Sequence, residues 1–263
     1  MSIEPQLLET ATDEEVPGFI KSLDYWMQEK HDGYRLLVEV TPESIRGINR
    51  QGTTVPVPPS IRKELEECPR SCILDGEIVS GPHWDTYHVF DALMIGGGDL
   101  SEFGYASRYS RLVELFCKFN SADEVRISKP VTAPESKQIA FDALKKSAEG
   151  VVFRKVDQRY QGGRNRAVMK YKFYSTASFI VTGRNEKGSA CLALMTGDRL
   201  TPVGNVTIPI SREMPAAGSI VEVRYLYAHA KSGAIYQPVY IGERDDVSRS
   251  ECVVSQLKYK NAH

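Results

Sequence analysis

The sequence lacks any apolar run of the roughly 18–20 residues that a membrane-spanning helix needs. It has only five cysteines, and only Cys68 and Cys72 lie close together, with no second pair or histidine at zinc-finger spacing. We therefore expect free thiols in a reducing compartment rather than a disulfide framework. The formal net charge of −1 argues against broad wrapping by nucleic acid but allows a local basic groove.

The sequence also shows no internal repeat, no low-complexity segment and no Gly/Ser-rich linker. Its acidic start, MSIEPQLLETATDEEVPGF, has no long apolar core, so we expect neither a signal peptide nor a membrane anchor. The expected location is the cytoplasm of the cell, or of a phage-infected host. With 263 residues, 41% of them apolar, the chain can form one large domain or two modest ones.

Strand and helix patterns are mixed up to about residue 175 and give way to strand patterns alone beyond it. In the first part, apolar and β-branched runs predict strands at 36–40, 45–57, 72–80, 86–95, 150–155 and 167–174. Helical spacing predicts helices at 60–68, with Ser60 as N-cap, at 107–120 and at 135–147. Short strand candidates with frequent turn signals then predict a small β-barrel or sandwich, with a short hinge at 175–177.

The segment EKHDGYR packs a lysine, an aspartate, a glycine and an arginine between two strand-like segments. Lys30 is a candidate nucleophile if partial burial or nearby positive charge favours its uncharged amine. Gly33 would allow a close backbone approach to a ligand, and Arg35 offers a fork suited to phosphate or a ribose hydroxyl. Taken alone, a charged hairpin turn is the favoured interpretation.

Other segments place charged residues within strand patterns. Glu77 stands in the apolar run LDGEIVS, which is costly unless it faces a cleft, a cation or the water at a sheet edge. Glu149 stands at the entrance of the strand GVVFRK. Lys170 and Lys172 alternate, so both point to one face of a strand, either towards a buried anion or into solvent.

Two more residues have a functional and a structural interpretation. Phe90 lies beside Asp91 and would stack on a nucleotide base, although a phenylalanine in a strand is more often part of the core. Arg50 precedes the turn in GINRQG, where it would reach a phosphate or simply be exposed. Each of these signals is weak by itself, and their order along the chain carries the argument.

In that order the segments resemble the motifs of the covalent nucleotidyltransferases, the family of ATP-dependent DNA ligases, RNA ligases and mRNA capping enzymes. The matching motifs are K-x-D-G-x-R at 30–35, R-x-G at 50–52, D-G-E at 75–77, F-D at 90–91, E-G-V-V at 149–152 and K-x-K at 170–172. The resemblance covers residues 25–175, and the β-rich tail looks like the OB-fold domain of the family. It implies an α+β fold in a minimal two-domain form. A nucleotidyltransferase (ATP-grasp-like ligase) domain of antiparallel sheets with helices at 1–175 would precede an all-β OB-fold barrel at 176–263.

The resemblance also implies a three-step reaction. Lys30 would attack the α-phosphate of ATP to give a lysyl-AMP, the AMP would pass to a 5′-phosphate at a nick in double-stranded DNA, and the 3′-hydroxyl would displace it. Lys170 and Lys172 are suited to the α-phosphate, where negative charge grows. Glu77 and Glu149 are suited to Mg²⁺ or Mn²⁺, which prefer oxygen ligands.

The remaining site residues follow from the same resemblance. Phe90 would stack on adenine, Glu77 would share a contact to the ribose, and Arg35 and Arg50 would address the ribose or DNA phosphates. Two departures stand out. Gln28 occupies the position where many ligases have glutamate, with Glu29 beside the lysine.

In the tail, many ligases carry an R-x-D-K motif that orients pyrophosphate. Here Arg244 and Asp246 match, but Val247 replaces the lysine. Either Lys258 or Lys260 takes its place, or the tail contributes less to adenylation.

The expected function is therefore that of an ATP-dependent DNA ligase acting as a monomer on nicked duplex DNA. The alternatives are an mRNA capping guanylyltransferase, which would form lysyl-GMP, and an RNA ligase, whose first motif more often lacks the arginine. A non-enzymatic OB-fold nucleic-acid-binding protein is a further alternative. The joint presence of Lys30, Glu77, Glu149, Lys170 and Lys172 argues against it.

Overall fold

The computed structural model describes residues 4–81, 84–119 and 124–260. The chain divides into two compact units, Met1–Tyr171 and Lys172–His263. This division falls shortly before the hinge that the sequence predicts, and residues 175–177 belong to a strand instead. In the part of the chain that the structure describes, no helix is long and apolar enough to cross a membrane.

The first unit is mostly sheet with a few short helices. Its strands are β1 (Gln6–Thr10), β2 (Tyr25–Lys30), β3 (Tyr34–Val40), β4 (Ile45–Asn49), β5 (Thr54–Val55), β6 (Cys72–Ser80), β7 (Asp85–Ile95), β8 (Gly98–Asp99), β9 (Val125–Ile127), β10 (Gly150–Lys155) and β11 (Gly163–Lys172). Its helices are α1 (Val16–Lys21), α2 (Pro59–Leu65), α3 (Tyr105–Phe116) and α4 (Pro134–Leu144). The predicted strands and helices are all found within a few residues of their expected bounds, except that 45–57 is split into β4 and β5. Residue 120 of the helix predicted at 107–120 lies outside the described residues.

Two sheets organise this unit. One has the strand order β5-β4-β3-β6-β7-β8, with β9 paired to β7, and the other has the order β1-β11-β10-β2. Within the second sheet, β2 and β10 are antiparallel and place Lys30 opposite Gly150. Within the first, β3 and β6 are antiparallel and place Arg35 opposite Glu77. The pairing therefore brings motif residues that are distant in sequence to neighbouring strand positions.

The main core lies between the larger sheet and helices α2 and α3. Every second residue of β3 and β6 turns towards it, and the buried residues of α3 recur at the three- and four-residue spacing of an amphipathic helix. Leu36, Val38, Leu74, Val89 and Leu112 are fully buried there. Each such side chain contributes about 1.5–3 kcal/mol of stability relative to an exposed one.

Two motif glycines are required by close packing in this unit. A Cβ atom on Gly33 would lie 2.0 Å from the carbonyl oxygen of Ile78, and one on Gly76 would lie 2.5 Å from the ring of Tyr87. Since real Cβ atoms never approach other atoms so closely, any larger residue would push the strands apart. The glycine of K-x-D-G-x-R thus allows the turn after Lys30 to pack directly on β6.

The predicted cap of α2 is wrong. The helix begins at Pro59, with Pro58 in the N-cap position, so Ser60 lies inside the first turn and no side chain caps the helix. Proline suits this position because its fixed φ is helical and its missing N–H is not needed in the first turn. The prediction of Ser60 as N-cap did not take the two preceding prolines into account, and these mark an earlier helix start.

The second unit is built almost entirely from antiparallel strands. They are β12 (Ser175–Arg184), β13 (Ala190–Thr196), β14 (Arg199–Val206), β15 (Ile220–Tyr225), β16 (Tyr227–Ala228), β17 (Ile235–Tyr236) and β18 (Val239–Arg244). Five of them form a sheet in the order β14-β13-β12-β15-β18, and β16 and β17 form a separate pair. Its own core contains Phe179, Val181, Leu192, Val221 and Val223, all of them buried.

Lys137, in α4, is a fully buried lysine that holds the chain leading into β2. Its Nζ donates hydrogen bonds to three backbone carbonyls, those of Phe19 at 3.0 Å, Ser22 at 2.5 Å and Tyr25 at 2.8 Å. The first two carbonyls belong to the end of α1, where a positive charge also complements the helix dipole. Burial lowers the pKa of Lys137 because it penalises the charged form.

We predict that Lys137→Met destabilises the protein by about 2–4 kcal/mol, because the carbonyls of three half-buried residues lose the ammonium group that donates to them. Urea unfolding would measure the loss. The control is Lys146→Met, at an exposed turn position just beyond α4, which should change stability by less than about 0.5 kcal/mol. Equal effects of the two substitutions would contradict the role assigned to Lys137.

Candidate active site

Lys30 is the last residue of β2 and sits where β2 meets the start of β10. Its Nζ lies 2.5 Å from Oε2 of Glu149, the residue immediately before β10, and 3.4 Å from the carbonyl oxygen of His31. Only 16% of the Lys30 side chain and 4% of the Glu149 side chain are exposed. The structure thus brings the predicted nucleophile and one predicted metal ligand into direct contact, in a site that is mostly shielded from solvent.

Glu77, on β6, is the second predicted metal ligand. Burial raises its pKa from 4.5 to about 7, against the opposing effects of the positive charges of Lys30 and Arg35. The negative charges of Glu149 and Asp75 raise it further. Glu77 and Glu149 therefore lie close enough to repel each other, and a cation between them would relieve this repulsion.

Arg35 points to an acidic partner inside the fold. Its Nε lies 2.8 Å from Oδ1 of the fully buried Asp75, its Nη2 donates to Oδ2 of the same carboxylate, and its Nη1 donates to the carbonyl oxygen of Gln6. Tyr160 adds a hydrogen bond of 3.1 Å to Asp75 Oδ2. Although burial alone would lower it, the pKa of Arg35 is raised by the charge of Asp75. The aspartate of the D-G-E motif thus orients the arginine of the first motif.

Phe90 and Gln28 form the inner part of the site. The guanidinium of Arg154 lies over the Phe90 ring, 4.3 Å from its centroid. Gln28 Oε1 accepts hydrogen bonds from Arg154 Nε at 2.9 Å and from Tyr105 Oη at 3.1 Å. Its Nε2 donates to the carbonyl oxygen of Ser128 at 2.6 Å. Both ends of the Gln28 amide are therefore engaged within the protein.

These residues surround one recess in the first unit. Its lining residues are Leu8, Gln28, Glu29, Lys30, His31, Arg35, Glu77, Phe90, Ser128, Val152 and Arg154. Six of the residues singled out in the sequence are among them, and Glu149 adjoins them through Lys30. The recess therefore combines an aromatic ring, a lysine amine, two arginines and carboxylates in a mostly buried setting.

Four other predicted residues are not part of this lining. Arg50 is exposed at the turn after β4. Lys170 is half-buried on β11, where its carbonyl oxygen accepts a hydrogen bond from the backbone N–H of Ala11. In the second unit, Lys172 Nζ donates to Gln237 Oε1 at 3.0 Å.

Arg244, at the end of β18, is the fourth. It forms two bonds of 2.6 Å to Asp246 and one of 3.0 Å to Glu222, and these carboxylates raise its pKa. The two lysines named as replacements for the missing tail lysine are also engaged. Lys258 Nζ lies 2.8 Å from the carbonyl oxygen of Phe173, and Lys260 lies over the ring of Tyr227.

Several residues in or beside the recess were not predicted from the sequence. His31 and His88 stack with ring centroids 3.9 Å apart, and His31 Nε2 lies 3.1 Å from Ser128 Oγ. Arg154 carries the same signal that identified Glu77, a charge inside an apolar strand. Ser128 and Tyr160 come from connecting segments and have no comparable local signal.

Comparison with known proteins agrees with this architecture. The likeness to solved structures shows a nucleotidyltransferase ligase fold. The structure of mycobacterial DNA ligase D complexed with ATP and MES is 23% identical with a TM-score of 0.60, covering 95% of this chain and 98% of that one. A Lig E DNA ligase, described as DNA binding with a minimal scaffold, is 17% identical with a TM-score of 0.67, covering 93% of this chain and all of that one.

The sequence comparisons are more specific. Residues 84–172 match the family model of the ATP dependent DNA ligase domain. The multifunctional non-homologous end joining DNA repair protein LigD of Mycobacterium tuberculosis is 31% identical over 193 residues, which are 66% of this chain and 24% of that protein. The LigD of Mycobacterium bovis gives the same figures. The chain thus spans about a quarter of the length of these curated relatives.

Residues 84–172 thus match the ATP dependent DNA ligase domain and the chain is similar to the LigD proteins, which agrees with the resemblance stated from its six motifs. It is homologous to enzymes. Its fold is mostly sheet with few helices, which agrees with the predicted sheets with helices. However, β1 pairs with β11 and β7 with β9 in parallel, where antiparallel sheets were predicted.

We predict that Asp75→Asn costs about 3–5 kcal/mol of unfolding free energy, because it leaves the Arg35 charge without its buried partner. Urea unfolding at neutral pH would measure it. The matched control is Glu39→Gln, which breaks the more exposed ion pair with Arg46 and should cost less than about 1 kcal/mol. A loss for Asp75→Asn as small as that of the control would contradict the assigned role.

A second prediction concerns the pH dependence of stability. Because the pKa of Glu77 is higher in the folded than in the unfolded chain, its carboxyl favours folding at low pH and this contribution is lost between about pH 4.5 and 7. The parent should therefore lose about 2 kcal/mol more than Glu77→Gln when urea unfolding is compared at pH 5 and pH 8. The same pH dependence in both proteins would show that Glu77 titrates normally.

Proposed function

We propose that this chain is an ATP-dependent DNA ligase that seals nicks between a 5′-phosphate and a 3′-hydroxyl through a lysyl-AMP on Lys30. The observation that carries the proposal is the position of the Lys30 amine, shielded from solvent and 2.5 Å from Glu149, in a recess that also holds Glu77 and Phe90. The relatives named above are described as end-joining repair proteins and DNA ligases, and one of them was solved with ATP. We take the same donor and substrate class for this chain.

The first step requires Lys30 to act as an uncharged amine. Glu149 holds this amine in the free protein and would release it when the nucleotide enters. Glu77 and Glu149 fit a hard divalent ion such as Mg²⁺ or Mn²⁺, which is usually held by one or two carboxylates together with substrate phosphates. When bound, such an ion supplies positive charge that offsets the growing charge on the phosphate oxygens.

Phe90 would hold the adenine. Because the guanidinium groups of Arg154 and Arg35 lie 4.3 Å and 5.6 Å from the centroid of its ring, a stacked base would share the ring with these two cations. Gln28 and Glu29 would frame the base from β2. Since the amide of Gln28 is already engaged at both ends, its contribution would be to fix Arg154 and the wall of the recess rather than to bind the base directly.

The remaining predicted residues would act on phosphates. Lys170 and Lys172 are proposed for the α-phosphate, Arg50 for the DNA phosphates, and Arg244 for the pyrophosphate. Arg35 would donate to the ribose only through N–H groups that do not already bind Asp75 and Gln6. Cations at these positions would stabilise charge that develops in each of the three steps.

We further propose that residues 1–175 form the adenylation domain and residues 176–263 an OB-fold domain. The two compact units and the five-stranded antiparallel sheet of the second one support this division. The partner would be nicked duplex DNA bound by a monomer, with affinity that falls steeply as salt rises. ATP and chromosomal or phage DNA share the cytoplasm, where we place the reaction.

The decisive experiment is a mass measurement after incubation with ATP and Mg²⁺. We predict one added AMP on the peptide that contains Lys30, no adduct on Lys30→Ala, and a normal adduct on Lys146→Ala, an exposed lysine at a turn that does not line the recess. Circular dichroism of Lys30→Ala should match the parent, because the change removes a side chain at the edge of the recess.

The same preparations would be tested with GTP and with two nicked substrates. An adduct with GTP alone would identify a capping enzyme, and sealing of nicked RNA but not nicked DNA would identify an RNA ligase. If Lys30→Ala sealed nicked DNA as well as the parent, Lys30 would not be the nucleophile. If neither nucleotide gave an adduct, a nucleic-acid-binding function without catalysis would replace the proposal.

A further inference from the structure

Cys68 and Cys72 form a sulfur pair at the turn that leads from α2 into β6. Their Sγ atoms lie 3.8 Å apart, in van der Waals contact, with only Pro69, Arg70 and Ser71 between them in sequence. A disulfide requires an S–S distance of about 2.05 Å. Rotation of the Cys68 side chain, which precedes β6, would bring the sulfurs towards each other.

The two sulfurs have unequal environments. Cys72 is the first residue of β6 and is fully buried in the main core. Cys68 is half-buried and borders a surface groove of about 530 Å³, which Arg62 and Arg70 also line. A small oxidant can therefore reach the Cys68 sulfur from solvent, while Cys72 lies behind it.

The chemistry of the pair matches these positions. The hydrogen bond between the two thiols lowers the pKa of Cys68 to about 7, and the same bond together with burial raises the pKa of Cys72. The accessible sulfur is thus the one that carries thiolate at neutral pH, which is the reactive form. The buried sulfur stays protonated until its neighbour has reacted.

We propose that Cys68 and Cys72 are a thiol-oxidation site that forms a reversible intramolecular disulfide on exposure to a peroxide. The Cys68 thiolate attacks one oxygen of hydrogen peroxide and breaks the O–O bond, which gives a Cys68 sulfenic acid and hydroxide. The Cys72 sulfur then displaces the hydroxyl group from Cys68 as its own proton is lost. The two thiols together lose two electrons, and the peroxide is reduced to two molecules of water.

This site does not depend on the ligase reaction. Its sulfurs lie just before and at the start of β6, whereas the residue that this strand contributes to the recess is Glu77, five positions after Cys72. The other three cysteines are placed elsewhere, at the end of α3, in β13 and beside a short turn of the second unit. They provide internal controls for the reactivity of the pair.

The test is peptide mass mapping of the full chain at pH 7 after treatment with one equivalent of hydrogen peroxide and alkylation of the remaining thiols. We expect a Cys68–Cys72 disulfide that dithiothreitol reverses. It should form about tenfold faster than Cys117 is oxidised. Cys117 is exposed, but no second cysteine sulfur contacts it among the described residues. Cys117→Ser should leave this result unchanged.

Two variants separate the roles of the sulfurs. Cys68→Ser, at a half-buried position, should abolish the rapid reaction, and Cys72→Ser should leave a Cys68 sulfenic acid that dimedone traps. The proposal is overturned if the parent accumulates sulfinic acid at Cys68, if Cys117 reacts as fast, or if Cys68→Ser still consumes peroxide rapidly. Thermal unfolding of each variant would verify that the comparison is made between folded proteins.

Discussion

The pairing of β2 with β10 is the constraint on which the site depends. It joins Lys30 to Glu149 across 119 residues of sequence and fixes Gly150 opposite Lys30, so that the amine and the carboxylate meet without any further adjustment. Because side chains alternate along a strand, a slip of one residue would turn Lys30 away from the recess. Burial of Met27 and Phe153 in the same two strands opposes such a slip. The apolar residues of these strands therefore set the position of the charged ones.

Charge balance within the larger sheet explains why Glu77 differs from its neighbours. Asp75 and Asp91 are paired across β6 and β7, both are fully buried, and each is bound by two nitrogens of an arginine, Arg35 for the first and Arg108 for the second. These two carboxylates are committed to holding the structure. Glu77 has no such bidentate arginine among the described residues, and its pKa rises to about 7. Among these carboxylates it is the one whose charge is available to a ligand.

The sequence allowed the motif-bearing strands to be predicted because each of them combines an apolar pattern with a charged interruption. Lys30, Glu77 and Glu149 were recognised in this way, and the strand pairing brings them together. The pattern could not show that Arg35 would bind Asp75. Arg35 was assigned to a ligand contact, and Asp75 was given no partner. That pairing depends on the register of β3 against β6, which no local signal encodes.

Other parts were beyond local reasoning for different reasons. Strand β1 and helix α1 lie in a segment that reads as acidic and polar, and tertiary contacts such as the parallel pairing of β1 with β11 stabilise them. Ser128 enters the recess because the segment after β9 runs beside β2, through the backbone bridge between Met27 and Val131. The start of α2, by contrast, could have been predicted from the sequence, because two prolines directly precede Ser60 and proline favours the first helical position.

The contact with Arg154 gives a physical reason for glutamine at position 28, where many ligases have glutamate. Arg154 is almost fully buried, and the partners that hold it are neutral: the Gln28 amide oxygen and the faces of Phe90 and Tyr105. A glutamate at position 28 would neutralise the guanidinium in a bond of the kind that Asp75 makes with Arg35. A neutral amide satisfies the same geometry, and among the described residues no carboxylate forms a hydrogen bond with this guanidinium, whose charge lies in a region of low dielectric. The recess therefore keeps a buried positive charge beside the aromatic ring, within the same lining as the carboxylate of Glu77.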